Sequence, residues 1–257
     1  MRKSKTLARL ENNETVRMCC LGHFIPAFVK HAAHFGFDCI WLDLEHRNWT
    51  GRDVQAILAF SHLFDIDIML RPPTLEKTGL YRYLEDGAAG LMIPHVGTAE
   101  KARMLVDAVK FPPVGDRGLD SAGLDADFLV HGSEDYLAEV NAQTFLVVQI
   151  ETPEAVANAD EIAAVEGVDG IFVGPGDLGL RLKYDTTGLT IDRAVEQVAA
   201  ACEKHDKAWG IPVVSADDLL RRKNQGGQLL NHGGDFEAVM NMLKENAAMF
   251  DSVTGKA

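Results

Sequence analysis

The chain of 257 residues contains no apolar run near the roughly 18 residues that a membrane-spanning helix needs. Its first residues, MRKSKTLARLENNET, are partly basic but precede no apolar stretch of the signal-peptide type. Positive charge is also scarce, because 25 Lys and Arg stand against 38 Asp and Glu, for a net charge of −13. Nucleic acids and anionic membranes bind basic surfaces, so we expect neither as a partner. A small anionic substrate is compatible with this charge, since it needs only a local positive focus.

Cysteine is equally sparse, with Cys19, Cys20, Cys39 and Cys202 as the four thiols. None of them has CxxC spacing, and the first three lie inside apolar, strand-like runs. We therefore expect core thiols in a reducing compartment rather than disulfides or a zinc site. This expectation favours a cytoplasmic location.

Short apolar runs alternate with longer amphipathic stretches along the chain. Several helical patterns open with a capping residue, as at Thr50, Thr98, Thr152 and Ser215. Eight strand–helix units in this length predict a single (β/α)8 TIM barrel over residues 1–257, since such barrels run to about 250 residues. A doubly wound open sheet is the alternative. The runs have the continuous apolar character of parallel strands buried on both faces: 16–22, 39–44, 66–71, 90–96, 145–151, 170–174, 210–215 and 228–232.

Three segments fall outside the eight units. Residues 3–13 are predicted to form an extra N-terminal helix that caps the barrel floor, and residues 236–250 a closing C-terminal helix. Residues 112–133, PPVGDRGLDSAGLDADFLVHGS, are too long and too rich in Gly and Asp for a plain connection. Loops of more than about 12–15 residues are usually functional or disordered, so we expect an active-site or interface loop here.

Two acids end successive apolar runs, at the side of the barrel that carries chemistry in this fold. Glu151 ends FLVVQIE, and Asp177 ends GIFVGPGD one strand further along. An ionised carboxylate has no packing reason to follow a buried strand. Two of them at matching ends of parallel strands can share one hard cation, with water and substrate in its other positions. The pair therefore predicts an open, catalytic site for Mg²⁺ or Mn²⁺, with Co²⁺ as a further candidate.

Arginine and histidine at other strand ends supply a fixed charge and a base. Arg71 follows IDIML and precedes two prolines, so its fork is presented rigidly to a carboxylate or a developing enolate oxygen. His46 ends the cluster DLEH and is the candidate general base, since histidine titrates near neutral pH. Asp43, Glu45 and Glu85 are candidates to orient His46 or raise its basicity. Polar residues at the remaining strand ends are His95, His232 and Asp235.

Two glycine-containing loops are candidates for anion binding. The GPGD loop is predicted to form a tight turn that aims the N–H groups of Gly176 and Asp177 inward, towards a substrate carboxylate. The stretch NHGGDF is either a phosphate cradle or a simple turn into the last helix. A cation, an arginine and a base together suit formation of an enolate. No lysine ends a predicted strand, which counts against a Schiff-base aldolase.

Six stretches match a known family, in order along most of the chain: GFDCIWLDLEH, MLRPP, EDGAAGLMIPHV, FPPVGDRG, VVQIET and VEGVDGIFVGPGDL. With them the chain resembles the HpcH/HpaI family of metal-dependent (class II) pyruvate aldolases, which includes 4-hydroxy-2-oxoheptanedioate and 2-dehydro-3-deoxyglucarate aldolases. The resemblance implies that Glu151 and Asp177 bind the divalent metal. It also implies that His46 is the base and that Arg71 stabilises the enolate.

Further roles follow from the same resemblance. Gln149, Gly176 and Asp177 would hold the pyruvate moiety. The acid that raises histidine basicity in the family aligns with Glu85, although the family usually has Asp there, and Asp86 is the alternative. The family forms hexamers with exchanged C-terminal helices, so a homo-oligomer is expected, with 236–250 as the exchanged element.

These features predict a lyase that reversibly cleaves a 4-hydroxy-2-oxoacid into pyruvate and an aldehyde. Its partners are then small-molecule substrates. Two alternatives stay open. One is an acyl-CoA lyase of the citramalyl or malyl type, which would need basic residues for the CoA phosphates. The other is a non-catalytic barrel that binds a metal or an oxoacid.

Overall fold

Eight parallel strands close into a barrel in sequential order in the computed structural model, which describes residues 2–130 and 135–255. Each strand pairs with its neighbour in the chain, and the first pairs with the last. The predicted TIM barrel is confirmed, and the open doubly wound sheet is wrong. The strands are β1 (Val16–Leu21), β2 (Cys39–Asp43), β3 (Asp67–Arg71), β4 (Gly90–Ile93), β5 (Phe145–Ile150), β6 (Gly170–Val173), β7 (Ala208–Pro212) and β8 (Leu229–Gly234).

Helices alternate with these strands and surround the barrel. A 3₁₀ helix over Leu124–Leu129 lies in the long segment before β5. The α-helices are α1 (Lys5–Glu11), α2 (Pro26–His34), α3 (Gly51–Leu63), α4 (Lys77–Glu85), α5 (Ala99–Val109), α6 (Tyr136–Gln143), α7 (Pro153–Ala157), α8 (Ala159–Ala163), α9 (Pro175–Leu182), α10 (Ile191–Lys204), α11 (Ala216–Asn224) and α12 (Asp235–Thr254).

Alternation along each strand separates two apolar layers. Residues that face the helices form the large outer core, whereas those that face the axis form a smaller inner cluster with Met69, Val147 and Phe172. The axis-facing positions change character at the carboxyl ends of the strands, because Arg71 follows Met69 and Gln149 follows Val147 by two residues. Polar side chains such as Arg71 and Gln149 therefore line the upper end of the barrel above an apolar interior, and the buried acid Asp67 lies at the lower end.

Local signals in the sequence explain most element bounds. The predicted N-caps Thr50, Thr98, Thr152 and Ser215 each accept a hydrogen bond from a backbone N–H in the first helical turn. The strand predicted over 90–96 ends earlier, at Ile93, because proline follows it and His95 has a left-handed φ of 56°.

The barrel floor is closed by α1, which confirms the predicted N-terminal helix. Ser4 caps α1, and its hydroxyl donates to Asp67 Oδ2 over 2.7 Å at the start of β3. The Thr6 N–H donates to the same oxygen over 2.8 Å. Leu7 and Leu10 of α1 pack against the inner apolar cluster. The buried carboxylate of Asp67 and the apolar face of α1 together hold this helix across the barrel floor.

The long segment 112–133 lies between α5 and α6, and its residues 131–133 lie outside the described ranges. A helix-to-strand connection lies at the amino end of a β/α barrel, opposite the active-site loops. The active-site half of our expectation for this segment is therefore wrong for its own chain. The segment exposes the apolar side chains of Leu119, Phe128 and Val130, which is compatible with an interface. Its role as an interface loop stays a prediction.

The last helix, α12, is longer than the predicted 236–250 and carries an exposed apolar surface. Met240, Phe250 and Val253 are 68%, 71% and 82% exposed. All four cysteines are free thiols, as expected. Across the described ranges, no helix is both long enough and apolar enough to span a membrane.

Candidate active site

Asp43 and Arg71 are register partners at the carboxyl ends of β2 and β3, and they form a buried ion pair. Arg71 Nε and Nη2 lie 3.0 and 2.9 Å from Asp43 Oδ1. The same oxygen accepts the backbone N–H groups of Glu45 and His46, over 3.1 and 3.4 Å. Asp43 thus fixes both the arginine and the turn that follows β2.

The guanidinium of Arg71 is held on all sides. Its carbon lies 4.7 Å from the centre of the Trp41 ring, a cation–π arrangement inside the barrel. Nη1 lies 3.5 Å from Gln149 Oε1 and 3.1 Å from Glu45 Oε2, although its N–H groups are not aligned with the glutamate. A charge fixed in this way needs no reorganisation when an oxyanion forms beside it.

His46 is the accessible base of the cluster, with a side chain that is 56% exposed. Its Nε2 lies 3.7 Å from Glu45 Oε2, so Glu45 is the acid beside the imidazole within this chain. Asp43 reaches His46 only through the backbone N–H. The structure brings His46, Arg71 and Asp43 together around Glu45.

Glu151 is buried directly after β5, and His95 holds one of its oxygens. The His95 N–H donates to Glu151 Oε2 over 2.9 Å, and His95 Nδ1 lies 3.0 Å from that oxygen. His95 Nε2 lies 3.2 Å from Glu45 Oε1, so one imidazole bridges two acids. Burial raises the pKa of the Glu151 carboxyl, the nearby charges of Asp177 and Glu45 add to this rise, and His95 opposes it.

The second oxygen of Glu151 faces the GPGD loop. A Cβ at Gly174 would lie 2.6 Å from Glu151 Oε1 and 2.7 Å from Gln149 Nε2, so a larger residue there would displace both polar groups. Asp177 lies in the first turn of α9, where Arg181 Nη1 is 2.6 Å from its Oδ1. This hydrogen bond lowers the pKa of Asp177.

The donor set fits a hard divalent cation. Mg²⁺ is commonly bound through one or two carboxylates, with water and substrate at the other positions. Glu151 and Asp177 supply two such carboxylates, each with one oxygen that no described side chain occupies. Within residues 2–130 and 135–255, no three His, Cys, Asp or Glu side chains form a closed metal-binding group. The arrangement suits an open catalytic site rather than a closed structural one.

The start of α9 supplies free backbone donors beside this pair. Gly174 precedes the helix, and no side chain caps its first turn. The N–H groups of Gly176 and Asp177 belong to that turn, where a helix favours negative charge. Gln149 projects its amide nitrogen towards Gly174. These donors could bind the carboxylate of a small substrate.

The HpcH/HpaI aldolase/citrate lyase family matches residues 17–241 of the chain. The chain belongs to this family. A hydroxypyruvate/pyruvate aldolase from Deinococcus radiodurans is 37% identical, over 79% of this chain and 73% of that protein. A 2-keto-3-deoxy-L-rhamnonate aldolase from Escherichia coli is 34% identical, over 86% and 83%. An HpcH/HpaI aldolase from Desulfitobacterium hafniense has the same fold, with a TM-score of 0.88, 27% identity and 95% coverage of both chains. The predicted aldolase activity is confirmed.

Glu85 and Asp86 lie apart from the other candidate site residues. They end α4 and lead into β4, which places them at the amino end of the barrel, opposite His46. Burial raises the pKa of Glu85, and the nearby charges are those of Arg117, Asp120 and Asp125. Asp86 accepts a hydrogen bond from Gln55 over 2.9 Å. Within one chain, neither acid can form a dyad with His46.

Two side chains of the aldolase site had no role in the sequence analysis. His95 was visible there only as a strand-end residue, and Arg181 lies four residues after Asp177, a spacing typical of helical ion pairs. The stretch NHGGDF ends β8 and leads directly into α12. Its buried Asp235 accepts the N–H groups of Gly22 and His23 over 2.8 and 2.9 Å, which ties α12 to the end of β1.

Proposed function

We propose that this aldolase depends on a divalent metal and cleaves a 4-hydroxy-2-oxoacid into pyruvate and an aldehyde, with aldol addition as the reverse reaction. The proposal is carried by the contacts that link Glu151 to Arg71: His95 lies between Glu151 and Glu45, and Glu45 Oε2 lies 3.1 Å from Nη1 of the buried Arg71. The free oxygen of Glu151 faces the turn at Gly174 that leads to Asp177. A cation and an arginine together offset the charge of an enolate oxygen. The D. radiodurans relative, named for hydroxypyruvate and pyruvate, supports pyruvate as the shared substrate.

Binding begins at the oxoacid end of the substrate. The N–H groups of Gly176 and Asp177 donate to its carboxylate, and the Gln149 amide lies beside them. Glu151 and Asp177 would hold Mg²⁺ or Mn²⁺, which would offset negative charge on the developing enolate. Arg71 donates to the developing enolate oxygen.

His46 acts as the base in the cleavage direction. It removes the proton from the C4 hydroxyl, the C3–C4 bond breaks, and the aldehyde leaves. The electron pair of that bond passes into the pyruvate enolate, whose oxygen faces Arg71. Protonation at C3 then releases pyruvate. The exposed imidazole of His46 can exchange its proton with solvent between these steps.

We also propose a homo-oligomer, with a hexamer as the expected form. The exposed apolar face of α12 is unsuited to a free monomer, since contiguous exposed apolar surface usually marks an interface. In this proposal, Glu85 contributes to an active site only when protomers assemble. From the amino end of one barrel it would serve His46 of a neighbouring protomer, as the family resemblance pairs the two.

Mg²⁺ or Mn²⁺ is the proposed cation, with Co²⁺ as a further candidate, because the free donors are carboxylate oxygens. We also propose a cytoplasmic location, which the four free thiols support.

The decisive experiment combines pyruvate with a panel of aldehydes and follows tritium release from labelled pyruvate. With Mg²⁺ or Mn²⁺ we expect both aldol addition and tritium release. Glu151→Ala and Asp177→Ala should lower turnover about 10³-fold, the loss expected when several kcal/mol of charge stabilisation are removed. Circular dichroism and thermal melting serve as controls for folding.

Three outcomes contradict the proposal. Turnover that survives in either variant refutes the metal assignment. Cleavage by a sample treated with a chelator refutes metal dependence. Pyruvate binding without release of tritium, with any aldehyde, indicates the non-catalytic barrel.

A further inference from the structure

The two candidate metal carboxylates are held in the same way, each through one oxygen only. We propose that His95 and Arg181 are positioning residues that occupy Glu151 Oε2 and Asp177 Oδ1, so that the cation meets Glu151 Oε1 and Asp177 Oδ2. The inference rests on the proposed function and goes beyond it. It assigns how each ligand binds and which side chains impose that mode.

His95 saturates one oxygen of Glu151. Both its backbone N–H, at 2.9 Å, and its Nδ1, at 3.0 Å, approach Oε2, which leaves Oε1 as the available oxygen. The left-handed backbone of His95, with φ of 56°, aims both nitrogens at the same acceptor. Such a conformation is unfavourable for most residues that carry a side chain. Its presence beside the buried carboxylate of Glu151 indicates that His95 is required in this position.

The available oxygen points towards the second ligand. Glu151 Oε1 lies so close to Gly174 that a Cβ there would be 2.6 Å away. Gly174 begins the turn that carries Asp177, three residues later. The free oxygen of one carboxylate therefore faces the loop that presents the other.

Arg181 occupies one carboxylate oxygen of Asp177, as His95 occupies one carboxylate oxygen of Glu151. Its Nη1 lies 2.6 Å from Asp177 Oδ1 and also donates to the Asp177 carbonyl over 3.1 Å. No hydrogen bond or ion pair within the described ranges involves Asp177 Oδ2. Hydrogen bonds from outer residues commonly orient metal ligands, and their removal typically costs 10–100-fold in metal affinity.

His95 also connects the metal side of the site to the base side. Its Nε2 lies 3.2 Å from Glu45 Oε1, and the other oxygen of Glu45 lies between Arg71 and His46. One imidazole therefore sets the spacing between the metal ligand Glu151 and the acid beside the base. Arg181 has no such second role.

The test is a titration with Mn²⁺ alone, in which free Mn²⁺ is read by electron paramagnetic resonance. The variants form two pairs that differ in a hydrogen-bond donor but not in charge. His95→Asn keeps an amide nitrogen near the position of Nδ1, and His95→Gly removes it, while both residues accept the left-handed backbone. Arg181→Gln keeps a donor four residues from Asp177, and Arg181→Ala removes it.

We expect the donor-retaining member of each pair to bind Mn²⁺ about tenfold more tightly than its partner. Arg221→Ala is the matched control, because Arg221 forms an exposed pair with Asp218 on α11, and its Mn²⁺ affinity should equal that of the wild type. Melting temperatures identify variants that fold poorly. Recovery of affinity in His95→Asn and Arg181→Gln distinguishes orientation from a general structural effect.

Equal affinities within both pairs would overturn this inference while leaving the metal site intact. A wild-type protein that binds no Mn²⁺ would instead sink the proposed function together with the inference. The wild-type titration alone separates these two failures.

Discussion

Two buried arginine–aspartate pairs lie at opposite ends of the barrel and have nearly the same local chemistry. Arg71 pairs with Asp43 and lies over Trp41, at 4.7 Å from the ring centre. Arg117 pairs with Asp125 over 3.1 Å and lies over a phenylalanine ring at 4.5 Å. Residue type and burial therefore do not distinguish the two ends.

Their surroundings do. Arg71 is flanked by Glu45 and Gln149 at the carboxyl ends of the strands. Arg117 and Asp125 instead sit beside Tyr136, whose hydroxyl donates to Asp125 over 2.9 Å, within a small separate apolar core. The two pairs therefore differ in their surroundings, with polar groups at the strand ends around Arg71 and a small packed apolar core around Arg117.

The largest contrast is expected from the conservative replacement Arg71→Lys. Lysine cannot reproduce the fork that spans Asp43, Glu45 and Gln149, so kcat should fall about 10²- to 10³-fold, as when an oxyanion donor is lost. Steady-state kinetics with pyruvate and a suitable aldehyde measure this. Arg117→Lys is the matched control, and its kcat should fall far less. Similar losses in both variants would remove the functional distinction between the pairs.

At the amino end the corresponding effect should appear in stability. Arg117→Met leaves Asp125 buried without its cation, which should lower the free energy of unfolding by about 3 kcal/mol. Urea unfolding measures the change. Because the cost is an unpaired charge, the double variant Arg117→Met with Asp125→Asn should lose less than Arg117→Met alone. A larger loss in the double variant would show that the pair itself stabilises the fold.

The pH dependence of stability sharpens the same comparison. Burial raises the pKa of Asp125, against the opposing effect of Arg117, so the folded state holds this proton more tightly than the unfolded state. Stability from this group is present at pH values below the ordinary carboxyl pKa and is lost as the pH rises through the raised value. Between pH 3 and pH 7, the free energy of unfolding of Asp125→Asn should therefore rise relative to that of the wild type. If the variant instead became more stable relative to the wild type as the pH falls, the pKa of Asp125 would be lowered by folding rather than raised.

The smallest effect is expected at the start of α3, which follows the His46 turn. The Thr50 hydroxyl accepts the N–H of Asp53, and the Asp53 carboxylate accepts the backbone N–H of Thr50. Thr50→Ala should lower the free energy of unfolding by about 1 kcal/mol, the usual cost of losing an N-cap. Thr50→Ser keeps the acceptor and should be nearly neutral. Chemical denaturation distinguishes the two.

Much of this architecture was predictable because its signals are local. Continuous apolar runs and N-cap residues depend only on near neighbours, and they located the strands and four helix starts. The amino-end position of Glu85 was predictable too, since that residue follows a helix and precedes a strand. The resemblance paired it with His46 without regard to this direction, and within one chain the two lie at opposite ends.

Composition and the order of elements were enough to specify a parallel barrel, with acids, an arginine and a histidine at one rim, because period and strand direction are properties of the chain itself. The contacts within that rim were beyond such reasoning. That Glu151 offers one oxygen while His95 covers the other depends on distances between side chains more than fifty residues apart. Only packing of the whole barrel sets those distances.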